Sequence, residues 1–188
     1  IVRLFFMNAE EIFEPKDISR RTKINIRKVN SEINLLRRIG FIKPGTKEIE
    51  IIFKNKKPKH KKIKGWVLNQ NFAFLNQLHN LILNAAPIGR DVLLKKFKTL
   101  GSKLKLVVLS GIFLDSPSSR LDVVVVGDSI SRTKLENILS NIESSIGKEL
   151  KYALFSTEEF QYRMSMFDHF LREIFDKPHE KLLDKLNV

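Results

Sequence analysis

The chain contains no cysteine. A disulfide framework, a thiolate nucleophile and a cysteine zinc site are therefore excluded. No apolar run approaches the ~20 residues that a membrane-spanning helix needs. The longest candidate, Leu104–Leu114, is interrupted by Lys105, Ser110 and Gly111. No leader-like segment is visible, so the expectation is a cytoplasmic protein with no membrane partner. The four histidines, His60, His79, His169 and His179, are scattered and match no metal-ligand spacing. Asp168-His169 has no serine partner in a supportable triad order. A phosphate-cradling glycine loop of the P-loop or dinucleotide type is also missing. Neither a metal nor a resident cofactor is expected.

Acidic residues are in short supply as well. The 188 residues hold 34 Lys and Arg against 21 Asp and Glu, for a net charge of +13. The excess is not spread evenly. Residues 1–70 carry 18 basic and 7 acidic side chains, net +11, whereas residues 71–188 carry 16 and 14, net +2. A strongly basic first part joined to a nearly neutral second part suggests two units with different jobs. The basic part should attract a polyanion, with affinity that falls steeply with salt as counterions are released. Apolar residues make up 43% of the chain, enough for a packed core.

The first third reads as helices followed by a hairpin. Val2–Phe13 carries Leu4, Phe5, Phe6, Ala9 and Ile12 on helical spacing. Pro15 suits a helix start, and a short helix over Asp17–Lys23 would turn Ile18 inward. Asn25 is a good N-cap for a helix over Ile26–Ile39. Ile26, Val29, Ile33 and Leu36 form its apolar stripe, widened by Leu35 and Ile39, and Gly40 ends it. The opposite face holds Arg27, Lys28, Asn30, Ser31, Asn34 and Arg38. Phe41-Ile42-Lys43-Pro44-Gly45 reads as a turn, and Glu48–Lys54 alternates as a half-buried strand with Ile49, Ile51 and Phe53 on one side. Gly65-Trp66-Val67-Leu68 reads as the return strand. Between the two, Lys54–Lys64 holds seven lysines, His60 and Pro58, and no acid.

Two helices joined by the short Lys23–Asn25 turn form a helix-turn-helix pattern. In that motif the second helix enters the major groove. Asn can pair with adenine and Arg with guanine, while Ser accepts several partners. The candidate reading residues are Arg27, Lys28, Asn30, Ser31 and Asn34. The lysine-rich segment resembles the wing of a winged helix. Lys54, Lys56, Lys57, Lys59, Lys61, Lys62 and Lys64 are the candidate phosphate contacts, because a point charge neutralises phosphate better than it reads bases.

Beyond this, Asn71–Ala86 places Phe72, Leu75, Leu78, Leu81 or Ile82, and Ala85 in helical register, as a core face or a dimer seam. Ala85–Gly89 is the best candidate boundary, and Asp91–Leu100 reads as a further helix closed by Gly101. Strands are expected at Leu104–Leu109, Leu121–Val126 and Leu150–Phe155, with a helix over Ser131–Ile146. A last helix should open at a Ser156…Glu159 capping box and turn Phe160, Met164, Phe167, Leu171 and Ile174 inward.

The segment "LVVLSGIFLDSPSSRLDVVVVGD", Leu106–Asp128, resembles the core of the minimal nucleotidyltransferase family. The continuation Glu149–Arg163 is similar to the ending of bacterial and archaeal regulators that join a winged helix to such a domain. The resemblance implies a Gly-Ser turn holding phosphate and an Asp-x-Asp pair holding metals. Gly111 matches the glycine and Asp122 the second carboxylate, but Ile112 stands for the serine and Arg120 for the first carboxylate. No acid occurs in Lys151–Phe155 for a third, and Asp115 and Asp128 lie outside the register. One carboxylate beside an arginine is a poor magnesium site, and losing the metals removes most of the rate.

The resemblance thus implies a decayed catalytic domain, with Gly111, Arg120 and Asp122 as vestigial positions. Arg120 retains the means to hold a nucleotide phosphate without turnover. The simpler expectation is that it pairs with Asp122 or reaches solvent. The expected fold is α+β in two domains: a winged helix-turn-helix at 1–69, linker or dimerisation helices at 70–102, and a nucleotidyltransferase-like domain with a small mixed sheet at 103–188. The expected function is a homodimeric transcriptional regulator bound to double-stranded DNA. Its rival is an active nucleotidyltransferase that modifies RNA or a protein.

Overall fold

The computed structural model describes residues 1–51, 59–83, 88–114, 116 and 119–188. Among these residues the chain is mixed α and β, with eight α-helices and two small sheets. It divides into two compact units, residues 1–87 with 143–148, and residues 88–142 with 149–188.

The first unit opens with α1 (Val2–Met7), which buries Leu4, Phe5 and Phe6. It is much shorter than the Val2–Phe13 periodicity suggests. The Asn8 amide donates to the Leu4 carbonyl at 2.8 Å as the helix ends. Phe13 leaves the helical register and pairs as an isolated bridge with Trp66, its N–H and C=O both bonded at 2.9 Å. Burial explains the change, since Phe13 is fully enclosed and meets the Phe5 ring edge-on at 5.6 Å.

Helix α2 (Pro15–Thr22) starts at Pro15, whose fixed φ suits the first helical position. It stops at Lys23, which takes a left-handed φ of 56°. Helix α3 (Ile26–Arg38) is capped as its sequence suggests, the Asn25 side chain accepting from Arg27 N–H at 2.9 Å. It ends in a Schellman arrangement around Gly40 (φ 79°), with Gly40 N–H on Arg37 C=O at 3.0 Å and Phe41 N–H on Leu36 C=O at 2.9 Å. Only Val29, Ile33 and Leu36 are buried on α3. Leu35 and Ile39, expected to widen the stripe, stay half exposed.

Strands β1 (Ile42–Ile51) and β2 (Lys59–Leu68) pair antiparallel from Ile42↔Leu68 to Ile51↔Lys59. The expected turn at Ile42–Gly45 is thus the start of a strand, and Lys59–Lys64 is strand rather than loop. Gly45 faces Gly65 in this ladder. The Phe13 backbone lies so close that a Cβ on Gly65 would sit 2.5 Å from its carbonyl oxygen. Helix α4 (Leu75–Leu83) turns Leu75, Leu78 and Ile82 onto the first-unit core, together with Phe72 before it, and leaves Phe74 and Leu81 exposed. The stripe read as core or dimer seam therefore lies against this unit's own core. Phe41 is the hub of that core. Phe5, Phe6 and Phe72 meet it edge-on at 6.4, 5.2 and 5.6 Å, each pair worth about 0.5–1.5 kcal/mol beyond burial.

The second unit holds α5 (Arg90–Lys98), β3 (Leu104–Leu109), a 3-10 turn (Gly111–Leu114), β4 (Val123–Gly127), α6 (Arg132–Ile146) up to residue 142, β5 (Tyr152–Phe155), α7 (Thr157–Ser165), α8 (His169–Asp176) and β6 (Glu180–Asp184), the last turn of α6 belonging to the first unit. The sheet order is β5-β4-β3-β6. β4 and β5 run parallel with α6 as their crossover, and the other pairs are antiparallel. β4 is buried along its length, as its valine run implies. Leu106, Val108, Val124, Val126 and Phe155 form a core with Phe160, Leu171 and Ile174.

The sheet has a fourth strand, β6, beyond the three expected, and one expectation fails. The helix opened by Ser156 is two helices, because Phe167 takes a left-handed φ of 53° and is 75% exposed. Asp168 then caps α8, accepting from the N–H groups of Phe170 and Leu171 at 2.9 and 3.2 Å.

Gly65→Ala should lose about 1–3 kcal/mol, the range for forcing an extra carbon into packed space. Urea unfolding of the full chain measures this, and an unchanged midpoint would contradict the close approach of Phe13.

Candidate nucleic-acid interface

Helix α3 owes its outward face to the burial of Val29, Ile33 and Leu36 on the other side. Arg27, Lys28, Asn30, Ser31 and Asn34 are all exposed. Among the described residues none of these five side chains forms an ion pair or hydrogen bond. Steps of four, three and four carry one row along the helix: Arg27, Ser31, Asn34 and Arg38. That row spans about 16 Å at 1.5 Å per residue. Arg37 and Arg38, both exposed in the last turn, extend the cationic face beyond the five residues singled out from sequence. Arg38 stands on the polar face that the helical spacing gives it in the sequence, in row with Arg27.

The neighbouring helix contrasts with this. On α2, Arg20 pairs with Asp17 at 3.1 Å, and Arg21 pairs with Glu11 at 2.8 Å while lying 5.0 Å over the Phe13 ring. Both arginines of α2 are neutralised locally, whereas Lys16 of α2 and the α3 cations form no ion pair among the described residues.

The hairpin divides the lysine run. Lys54, Lys56 and Lys57 lie outside the described residues, and Lys59 and Lys61 enter as the backbone of β2. Lys62 and Lys64 are exposed on one face of β2, with His60. The register sets Lys62 opposite Glu48, and the two pair at 3.2 Å. Both partners are mostly exposed, so this pair is worth about 0–1 kcal/mol. Lys64 stands opposite Thr46 and has no acidic partner among the described residues.

The second sequence-derived site is built differently. Gly111 has a φ of 56°, and a Cβ there would collide with the Asp122 carboxylate. Asp122 Oδ1 accepts from Ile112 N–H at 2.9 Å, and Oδ2 accepts from Lys151 N–H at 2.8 Å. Ser110 and Ser119 hydroxyls both donate to Leu121 C=O, at 2.6 and 2.7 Å. The carboxylate thus ties the loop after β3 to the start of β5.

Arg120 does not share its direction with Asp122. It lies before β4 begins at Val123, so strand alternation does not govern it. Its guanidinium pairs with Glu173 of α8 at 2.7 Å and is 60% exposed. Lys177 donates to the same carboxylate at 2.8 Å, and these two cations hold Glu173 below the usual carboxylate range, Lys177 contributing most. Beside Glu173 is an open cleft of about 370 Å³, also lined by Phe167, His169, Arg172, Asp176 and Lys177.

Asp128 accepts from the N–H and hydroxyl of Thr157 at 3.0 and 2.9 Å, at the start of α7. Those bonds lower its pKa, assisted by Lys105 and Lys103. Among the described residues no three His, Asp or Glu side chains converge as metal ligands. Asp115 lies outside the described residues.

Comparison with protein-family models, with curated proteins and with solved structures returns no match.

Two outcomes test this geometry. Asp122→Ala leaves two backbone N–H groups without their charged acceptor and should cost about 2 kcal/mol in denaturant unfolding. Asp128 is depressed in the folded state. Its contribution should be complete above the unfolded-state value of about 3.9 and fade as pH falls through the lower folded value. Asp128→Asn should flatten that part of the acid limb of a stability–pH curve.

Proposed function

We propose that the first unit is a winged helix that binds duplex DNA, and that the chain acts as a transcriptional regulator. Helix α3 would lie in the major groove, with Arg27, Asn30, Ser31 and Asn34 toward base edges. The hairpin lysines would grip phosphate. The single observation that carries this reading is the outward face of α3, a row of unpaired cations and amides beside a helix α2 whose two arginines are both paired. A solvated face needs no such row of Arg and Asn, whereas amides and guanidinium forks match the hydrogen-bond edges of adenine and guanine. The order helix, bridge, helix, helix, hairpin is compatible with the same reading.

In this proposal the second unit is a nucleotidyltransferase-like body that no longer catalyses and serves in dimerisation or ligand sensing. Support comes from Asp122, whose two oxygens each accept a backbone N–H, and from Arg120, whose charge is taken up by Glu173. The rival, an active nucleotidyltransferase, has no comparable support.

Binding to a pool of random duplexes, followed by selection, tests the proposal. Asn30→Ala or Asn34→Ala should relax base preference at particular positions, with a loss of about 1–3 kcal/mol on the best site. Lys64→Gln should weaken all sequences alike and reduce the salt slope by about 1. Unchanged affinity in all three variants would overturn the reading. Transfer from labelled nucleoside triphosphate with magnesium, abolished by Asp122→Ala in folded protein, would establish the rival.

A further inference from the structure

The near-neutral charge of the second unit conceals a strong polarity. Residues 90–105 hold six basic side chains and one acidic, net +5, while the rest of that unit is net −3. These cations form one structural piece. Lys95, Lys96 and Lys98 occupy the last turn of α5, and Lys103 and Lys105 flank the first residue of β3. After β6, Lys185 donates its Nζ to Leu104 C=O at 3.1 Å and its N–H to Lys105 C=O at 2.9 Å, which brings a further cation to the same end of the sheet.

Lys95, Lys98 and Lys103 are exposed. None of the five lysines from 95 to 105 forms an ion pair among the described residues. Three arginines of this unit do pair, Arg90 with Glu180, Arg120 with Glu173 and Arg132 with Glu136, whereas the other unpaired lysines, such as Lys134 and Lys151, stand apart in the chain and are not grouped as these five are. Asp128 feels Lys103 and Lys105, but its oxygens are bonded to Thr157. Lysines at a helix C-terminus offset the carbonyl dipole. That accounts for a part of the α5 set and for neither Lys103 nor Lys105.

We propose that the α5–β3 lysine cluster is a second contact surface for the phosphate backbone of duplex DNA, independent of sequence. Lysine suits this task because it presents a point charge without the planar fork that reads bases. A duplex is favoured over a single strand because no exposed aromatic residue lies within 90–105 to stack a base. The surface lies on the other unit from α3 and does not require α3 to read a site. Joined in one chain, two modest contacts raise each other's effective concentration.

The test uses the full chain with duplexes of unrelated sequence, a single strand and an RNA, each across a salt series. The variants are Lys95→Gln, Lys98→Gln and Lys103→Gln together. Lys134→Gln with Lys151→Gln serves as a control, both residues being exposed elsewhere on the unit. The triple variant should flatten the plot of log affinity against log salt by about 0.9 per lost phosphate contact, up to about 3 in all. The loss should be equal for every duplex sequence. An unchanged slope would overturn the proposal. So would an equal loss per charge in the control, which would reduce the effect to net charge, or a loss confined to single strands or RNA. An effect of the triple variant with none from Arg27→Ala or Asn34→Ala would sink the reading of α3 and leave this surface standing.

Discussion

Two backbone hydrogen bonds between Phe13 and Trp66 fasten the hairpin of the first unit to its helices. A two-stranded ribbon is marginal in water by itself, and this bridge adds to the anchoring that Ile42 and Leu68 give by entering the core. The bridge demands room, and Gly65 supplies it where the Phe13 carbonyl crosses. Once Phe13 is fixed, its ring packs on Phe5, and Phe5 packs on Phe41, the residue that leaves α3. Phe41 in turn completes the Schellman end of α3 through its N–H. The bridge and the end of α3 thus share one aromatic core through Phe5 and Phe41, on which the buried face of α3 also rests.

The electrostatics follow from that placement. A basic chain can place its charge next to acids or leave it open, and this chain does both. Arg20 and Arg21 are matched locally on α2, and Lys62 is matched across the hairpin. The outward row of α3 and the α5–β3 lysines are unmatched among the described residues. Unmatched like charges raise the energy of the free protein and are relieved by a polyanion, so the proposed partner follows from where pairing stops rather than from the net charge alone.

Asp122, the carboxylate that carried the nucleotidyltransferase resemblance, is engaged in holding the fold, as are Asp128 and Glu173. Asp122 binds two backbone N–H groups, Asp128 holds the start of α7, and Glu173 gathers Arg120 and Lys177. A carboxylate whose lone pairs are taken by the backbone is a structural tie. Charge-assisted bonds of this kind are roughly twice as strong as neutral ones, so such ties hold loops firmly.

Much of the local architecture was legible in the residues. Pro15 at a helix start, Asn25 and Ser156 at N-caps and Gly40 at a left-handed C-terminus act within a few residues, and each stands where its chemistry implies. Asp168 carried the same kind of signal, and the helical period running through Phe167 masked it. What the chain's order alone determined was therefore the set of local helix signals, the polar face of α3 and the gathering of positive charge in the first third. The tertiary structure decided the rest: that Phe13 is strand, that β6 joins the sheet, that Lys62 is matched by Glu48, and that Arg120 turns to Glu173. Each of these depends on a partner far along the chain. Strand pairing and charge pairing are satisfied between elements, and one element's residues do not name the neighbour that packing brings to them.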